Sequence, residues 1–158
     1  MKGFISYAHE DYAAFEALLV HIKPLERAYG IEFWADRRIR PGDYWNDKIS
    51  QAIADASVHV LLVTPHFFAS DYIFNKELPA INAKYATGDL VLPIIFKRCC
   101  WAGYVGALQA VPTRQGRILP VSEWRPKENG YDRAREEITP AIEAHTGAPP
   151  AKLEWRRP

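Results

Sequence analysis

The chain has 158 residues, of which 48% are hydrophobic and 25% are charged, values typical of one globular domain and too apolar for a disordered segment. The 20 Lys and Arg residues nearly balance the 19 Asp and Glu residues, and the net charge of +1 argues against a nucleic-acid-binding protein. No apolar run is long enough to span a bilayer, no signal peptide is evident, and the adjacent Cys99 and Cys100 cannot link distant segments. We therefore expect a reduced, cytoplasmic protein that binds neither nucleic acid nor membranes.

Five short apolar runs predict β-strands, and they alternate along the chain with segments of helical periodicity. The runs lie at residues 3–7, 31–34, 58–63, 91–96 and 117–124. The fifth run is the weakest, because Pro120 is compatible only with an edge strand or an irregular one. Strict alternation of strands and helices, with strands apolar on both faces, predicts a parallel sheet covered by helices on both sides.

Four helices are predicted between and after these strands, since apolar residues recur there at every third or fourth position. They lie near residues 15–25, 45–56, 74–85 and 131–145. The apolar stripe of the third helix consists of Phe74, Leu78, Ile81 and Tyr85. Pro140 should kink the last helix or end its first part. Glycine and prolines then break the pattern, so we expect one domain over residues 1–146 and a tail or linker over residues 147–158.

Four motifs stand in order along the chain, at spacings typical of one domain. Residues 4–11 are FISYAHED, residues 33–36 are FWAD, residues 37–43 are RRIRPGD and residues 70–78 are SDYIFNKEL. Together they resemble the Toll/interleukin-1 receptor (TIR) domain family, and its bacterial members most of all. The resemblance covers about residues 1–146, which is nearly the whole chain.

The resemblance implies a flavodoxin-like, three-layer α/β fold with a five-stranded parallel sheet of strand order 2-1-3-4-5. In such a sheet, ligands bind beyond the carboxyl ends of strands one and three, where the winding direction reverses. Those ends fall at residues 6–7 and 63–64, and the candidate site is expected there.

Glu77 is the candidate catalytic residue. At about 100° per residue, it lies about 60° from Phe74 and about 40° from Ile81, at the border of the helix's apolar face. Taken alone, a glutamate near the start of a helix is more often a solvated residue that suits the helix dipole. The resemblance favours catalysis, because the matching residue of TIR domains that cleave NAD is the catalytic glutamate.

One carboxylate is enough for that reaction. Nicotinamide leaves as a neutral molecule, so the second carboxyl group that glycosidases use as an acid is not required. A single buried anion can stabilise the oxocarbenium-like ribose. The predicted activity is that of an NAD⁺ glycohydrolase, which releases nicotinamide and leaves ADP-ribose or a cyclic isomer.

No cofactor or metal is expected, with NAD⁺ as the substrate. The five histidines lack the spacing of metal ligands. Ser6, His9 and Asp11 are too close in sequence to form a convincing hydrolytic triad, and no nucleophile elbow is present.

Aromatic and polar residues at the expected crevice complete the candidate site. Rings there could stack on nicotinamide or adenine, although a core position is the better interpretation for Trp34. Where NAD-cleaving TIR domains often carry tryptophan, four residues before the glutamate, this chain has Ile73, and Tyr72 could supply the stacking contact instead. The predicted substrate-binding residues are Ser6, Tyr7, Asp36, Arg37, Tyr44, Trp45, Tyr72 and Ile73.

The basic loop at residues 37–43 is the predicted self-association segment. Its arginines could contact the phosphates of the dinucleotide or a neighbouring subunit, or simply be solvated. The residues assigned to self-association are Arg38, Arg40, Pro41, Gly42 and Asp43. The resemblance implies partners that are other TIR domains, in a homo-oligomer or filament, and a fused or associated sensor domain in bacterial defence or signalling. The rival interpretation is a non-catalytic module that binds other TIR domains.

Overall fold

The sheet of this protein is parallel, as the alternating pattern predicts. The computed structural model describes residues 1–35 and 45–151. Within these ranges, four strands pair in the order β2-β1-β3-β4, and every pairing is parallel. The strands are β1 (Lys2–Ser6), β2 (Glu32–Trp34), β3 (Val58–Val63) and β4 (Leu90–Ile95). The carboxyl ends of these strands therefore share one edge of the sheet.

Helices connect the strands and cover both faces. They are α1 (Tyr12–Tyr29), α2 (Trp45–Asp55), α3 (Pro65–Ala69), α4 (Leu78–Ala86), α5 (Ala102–Val105) and α6 (Lys127–Thr146). A π-helical turn (Ile73–Glu77) runs directly into α4, and 3₁₀ turns cover His9–Asp11 and Val121–Glu123. Within the described part of the chain, no helix is both long and apolar enough to cross a membrane.

Two apolar clusters, one on each face of the sheet, make up the core. Side chains of α1 and α6 pack on one face, where Leu18 and Ile138 are buried. Side chains of α2, α3, the π turn, α4 and α5 pack on the other, where Ile53 and Ile81 are buried. β3 is buried along its whole length between the two clusters. The α/β class with helices on both faces of a parallel sheet is therefore confirmed.

The fifth strand of the predicted sheet is not formed. Of the residues that the structure describes, only Val111 extends the sheet beyond β4, through a bridge to Ile94 in which the Val111 N–H bonds to the Pro93 carbonyl at 3.0 Å. Pro112 follows and has no N–H with which to continue a ladder. Gln115 and Gly116 then both take positive φ values, 53° and 76°, which turn the chain back on itself.

The segment expected to be the fifth strand instead belongs to a small antiparallel hairpin. β5 (Thr113–Arg114) pairs with β6 (Arg117–Ile118), and the 3₁₀ turn follows Pro120. The last helix also differs from expectation, since α6 continues through Pro140 up to Thr146. Beyond it, Ala151 N–H bonds to the Ala28 carbonyl at 2.9 Å, which places the start of the expected tail against the end of α1.

Candidate functional site

A pocket of about 180 Å³ lies at the carboxyl edge of the sheet, beside the ends of β1 and β3. Its lining comes from the residues after β1, from the start of α2, from α3 and from the segment that leads into α4. The lining residues are Tyr7, Ala8, His9, Glu10, Trp45, His66, Ala69, Ser70, Tyr72, Ile73 and Glu77.

Glu77 is buried in the wall of this pocket, with 6% of its surface exposed. The helical stripe predicted around it is wrong at both ends, because Phe74 is 40% exposed and Tyr85 is 50% exposed. The buried positions are instead Ile73, Glu77 and Ile81. Glu77 therefore stands in the middle of the buried face rather than at its border.

A π-helical turn lies in this part of the chain. The Leu78 N–H bonds to the Ile73 carbonyl, five residues earlier, so one extra residue is accommodated before α4 begins. Pro79 explains why the turn widens here. In a regular α-helix its ring would press on the Asn75 carbonyl, and it has no N–H to donate to that carbonyl. Single π turns of this kind are frequent at functional sites.

Ser6, the last residue of β1, contacts Glu77 directly. Its Oγ donates a hydrogen bond to Oε2 of the Glu77 carboxylate, and the serine is 1% exposed. A hydrogen bond donated to a carboxylate favours the charged form, whereas burial favours the neutral form. The pKa of the nearby Tyr72 is raised, first by burial of its phenol and then by the negative charge of Glu77.

Two of the predicted aromatic residues form the pocket's aromatic wall. The rings of Trp45 and Tyr72 lie 4.2 Å apart between centroids, tilted by 43°. The ring of Tyr7 stacks on Phe15 at 4.0 Å, so one of its faces belongs to the core. Trp34 stacks on Phe4 at 5.8 Å, is partly buried against the core and does not line this pocket.

The structure thus gathers six of the predicted site residues, five of them in the pocket lining and Ser6 behind Glu77. The five are Tyr7, Trp45, Tyr72, Ile73 and Glu77. The other predicted residues lie outside the described part of the chain. They are Asp36, Arg37 and Tyr44 of the substrate set, and Arg38, Arg40, Pro41, Gly42 and Asp43 of the self-association set.

Besides Ser70, three polar residues of the pocket are absent from the predicted set: His9, Glu10 and His66. Each follows a strand end, after β1 or after β3, so the rule that ligands bind at carboxyl ends of parallel strands was the signal that could have found them. Ser6, His9 and Asp11 do not form a hydrolytic triad, because Ser6 donates to Glu77 while Asp11 accepts from Thr64.

Two further observations bear on what the pocket can hold. Among the described residues, no group of three or more His, Cys, Asp or Glu side chains is placed to bind a metal ion. A larger groove of about 450 Å³ lies on the α4 and α5 side of the sheet, and its lining contains no charged residue. The smaller pocket is thus the one that combines a buried carboxylate with aromatic walls.

A parallel sheet with helices on both faces, and a pocket at its carboxyl edge beside the reversal between β1 and β3, defines a doubly wound α/β domain with a candidate ligand crevice. Comparison with known proteins gives the family: a family model described as TIR domain matches residues 4–138. The chain belongs to the TIR domain family, as the order of its motifs predicts.

Two individual proteins show how far the likeness extends. One curated relative is Uncharacterized protein y4lF of Sinorhizobium fredii, 32% identical over 154 residues that cover 94% of this chain and 47% of that protein. The chain therefore spans about half the length of this relative. Among solved structures, the TIR domain of the Toll-related receptor TRR-2 from Hydra magnipapillata matches with a TM-score of 0.46 and 19% identity, over 65% of this chain and 78% of that one.

Proposed function

We propose that this chain cleaves NAD⁺ at the bond between nicotinamide and ribose, with Glu77 as the catalytic residue. The observation that supports this proposal is a carboxylate that is 6% exposed, in the wall of a pocket that also contains the Trp45–Tyr72 aromatic pair. TIR domains include NAD-cleaving members, in which a glutamate matching Glu77 is catalytic.

The pocket suits the reacting end of the dinucleotide. Pockets that enclose a whole ligand usually measure about 300–1,000 Å³, whereas this one measures about 180 Å³. In the proposal, the nicotinamide and its ribose occupy the pocket, with the pyridinium ring against Trp45 and Tyr72. The adenosine and the phosphates extend away from it, and the arginines of residues 37–40 are the proposed partners of the phosphates.

The chemistry follows from a single anion. The C1′–N1 bond breaks with both electrons going to nicotinamide, which leaves neutral, and positive charge develops on C1′ and the ring oxygen of ribose. The Glu77 carboxylate stabilises that charge and holds a ribose hydroxyl. Water then adds at C1′ and releases one proton, which gives ADP-ribose. Capture of C1′ by an adenine nitrogen gives a cyclic isomer instead, again with loss of one proton.

An alternative function is a non-catalytic module that binds other TIR domains. The observation that favours it is the uncharged groove of about 450 Å³, whose rim carries exposed aromatic rings. Phe74, Tyr85 and Tyr104 are 40%, 50% and 55% exposed, and such a patch is typical of a protein-binding surface.

The decisive experiment is incubation of concentrated protein with NAD⁺, followed by chromatography of nicotinamide and ADP-ribose products. The wild-type protein should release nicotinamide, and Glu77→Gln should lower the rate by about 100-fold or more, because the charge that meets the transition state is gone. Glu128→Gln, which makes the same change at an exposed position on α6, is the matched control and should behave as wild type.

The two candidate functions give different results in this experiment. A wild-type chain that self-associates by light scattering but releases no nicotinamide would favour the non-catalytic module. A Glu77→Gln variant that is folded by circular dichroism and turns over NAD⁺ at the wild-type rate would remove Glu77 from the mechanism.

A further inference from the structure

We infer that Ser6 is a positioning residue, whose hydroxyl keeps the Glu77 carboxylate ionised and fixed in the wall of the pocket. This inference rests on the proposed function, in which Glu77 is the reacting anion. It gives Ser6 a role that differs from the direct substrate contact expected from the sequence.

The placement of Ser6 supports an indirect role. Ser6 is 1% exposed and is not among the residues that line the pocket, whereas Glu77 is. The serine hydroxyl therefore faces the carboxylate from behind and reaches a ligand only through it. The bond joins two elements that are 71 residues apart in sequence, the end of β1 and the π turn.

The serine is also rigidly held. β1 lies between β2 and β3 in the sheet, and Ser6 pairs in register with Leu61 of β3. A donor on a central strand has little freedom, so it can fix the orientation of a longer and more flexible side chain. Glutamate has three rotatable bonds, and holding it in one rotamer removes an entropic cost from the reaction.

The second effect of this bond is on charge. Burial of Glu77 favours the neutral carboxylic acid, and a neutral acid cannot stabilise a ribosyl cation. The hydrogen bond that Ser6 donates is made to the charged form and opposes the effect of burial. Removal of the hydroxyl should therefore raise the pKa of Glu77 and weaken the enzyme most at acidic pH.

Steady-state kinetics with Ser6→Ala test the inference. We expect kcat to fall by about 10- to 100-fold while KM changes by less than about threefold. The acidic limb of the kcat–pH profile should move to higher pH. Ser6→Thr, which keeps a hydroxyl and suits a strand, should retain most of the activity and the wild-type pH profile.

A matched control is available at the end of the neighbouring strand. Thr64 Oγ1 donates to the buried Asp11 carboxylate, and neither residue lines the pocket. Thr64→Val removes a buried hydroxyl from a similar pair, together with the cap that Thr64 Oγ1 provides to the Phe67 N–H, and should leave kcat and the pH profile of the folded protein unchanged. An equal loss of kcat in Thr64→Val and Ser6→Ala would mean that any buried hydroxyl at this edge matters only for folding.

A measurement that needs no activity separates this inference from the proposed function. The Glu77 pKa can be followed by NMR of ¹³C-labelled glutamate carboxylates, with the signal assigned by its loss in Glu77→Gln. A higher pKa in Ser6→Ala than in wild type is expected, and an unchanged pKa overturns the inference. If Ser6→Ala cleaves NAD⁺ with the kcat of the wild-type protein, whether or not its KM is raised, the inference is also overturned. The proposed function is then unaffected. No cleavage by the wild-type chain contradicts the proposed function, and with it any catalytic meaning of a shifted pKa.

Discussion

Two hydroxyl–carboxylate pairs lie at the same edge of the sheet and resemble each other closely. At the end of β1, Ser6 donates to Glu77, and just after β3, Thr64 donates to Asp11. All four residues are buried, and the two carboxylates have nearly the same exposure, 6% for Glu77 and 5% for Asp11. Burial and hydrogen bonding therefore do not distinguish the proposed catalytic carboxylate from a structural one.

The surroundings of the two pairs do separate them. Thr64 Oγ1 also accepts the Phe67 N–H at 3.0 Å and caps α3, so this pair ties the turn at Asp11 and the start of α3 to the end of β3. Glu77 instead lines a pocket and has aromatic neighbours there. The Thr64–Asp11 pair thus bonds only to neighbouring segments of the protein in the bonds described here, whereas the Ser6–Glu77 pair presents its carboxylate to a cavity.

The largest difference between the pairs should appear in stability. Asp11→Ala leaves the buried Thr64 hydroxyl without its acceptor, which costs about 1–3 kcal/mol, or a fall in Tm of about 5 °C for a chain of this size. Glu77→Gln should change Tm by less, because the pocket lets water reach its polar groups. Thermal unfolding followed by circular dichroism measures both values.

Activity should follow the opposite order. The Asp11→Ala protein, assayed well below its Tm, should release nicotinamide at close to the wild-type rate per folded molecule. If Asp11→Ala abolished turnover without loss of stability, the Thr64–Asp11 pair would have to be included in the catalytic machinery.

The π turn allows a second test of what directs Glu77 to the pocket. Pro79→Ala restores an N–H that can bond to the Asn75 carbonyl and so favours a regular α-helix. Loss of the extra residue of the π turn would rotate the preceding residues by about 100° relative to α4. We expect kcat to fall by about tenfold or more, with Tm within a few degrees of wild type, since alanine is the better helix former.

The matched control for Pro79→Ala is Pro140→Ala, which removes a proline from α6 on the other face of the sheet. Its NAD⁺ cleavage should be unchanged. Full activity in Pro79→Ala, together with a crystal structure that retains the π turn, would show that the turn does not depend on the proline.

Much of the fold could be predicted because its strands are short apolar runs that need burial on both faces. β3 consists of five apolar residues and one histidine, and all six are buried. A fifth strand was predicted but does not form. Its absence could not be predicted, because it depends on two local features, the missing N–H of Pro112 and the turn at Gln115 and Gly116. A pattern of apolar residues does not register either feature.

Several residues of the candidate site could be predicted, but their geometry could not. Glu77 was identified through a family motif, while helical periodicity placed it at a border because the apolar stripe was drawn through Phe74 and Tyr85, which are exposed. The bond from Ser6 to Glu77 joins residues that are 71 positions apart, and no local pattern indicates it. Pocket residues such as His66 can be predicted only from the positions of the strand ends, and the sequence does indicate those positions.

A third side-chain pair, with one buried and one half-buried member, lies at the opposite edge of the sheet and tests the structural side of the comparison. His59 of β3 is fully buried, and its Nε2 lies 3.0 Å from an Asp89 carboxylate oxygen. Lys84 Nζ lies 3.2 Å from the same carboxylate. Among the described residues, His59 Nδ1 has no hydrogen-bond partner.

The smallest expected effect is the pH dependence of stability that His59 confers. Burial lowers the pKa of His59 below its ordinary value of 6.5 and outweighs Asp89, which acts to raise it, while the Lys84 charge lowers it further. The unfolded chain therefore binds this proton more readily, so stability is full above pH 6.5 and is lost as the pH falls from 6.5 towards the folded-state pKa. Each unit of pKa difference corresponds to about 1.4 kcal/mol, or a few degrees in Tm.

We expect Tm to fall between pH 7.5 and pH 5.5 by more in the wild-type protein than in His59→Gln, which cannot titrate but keeps an N–H donor for Asp89. Equal falls in the two proteins would assign the acid sensitivity to other groups. Substitution of His59 should leave the kcat–pH profile of the folded protein unchanged, whereas substitution of Ser6 should shift it.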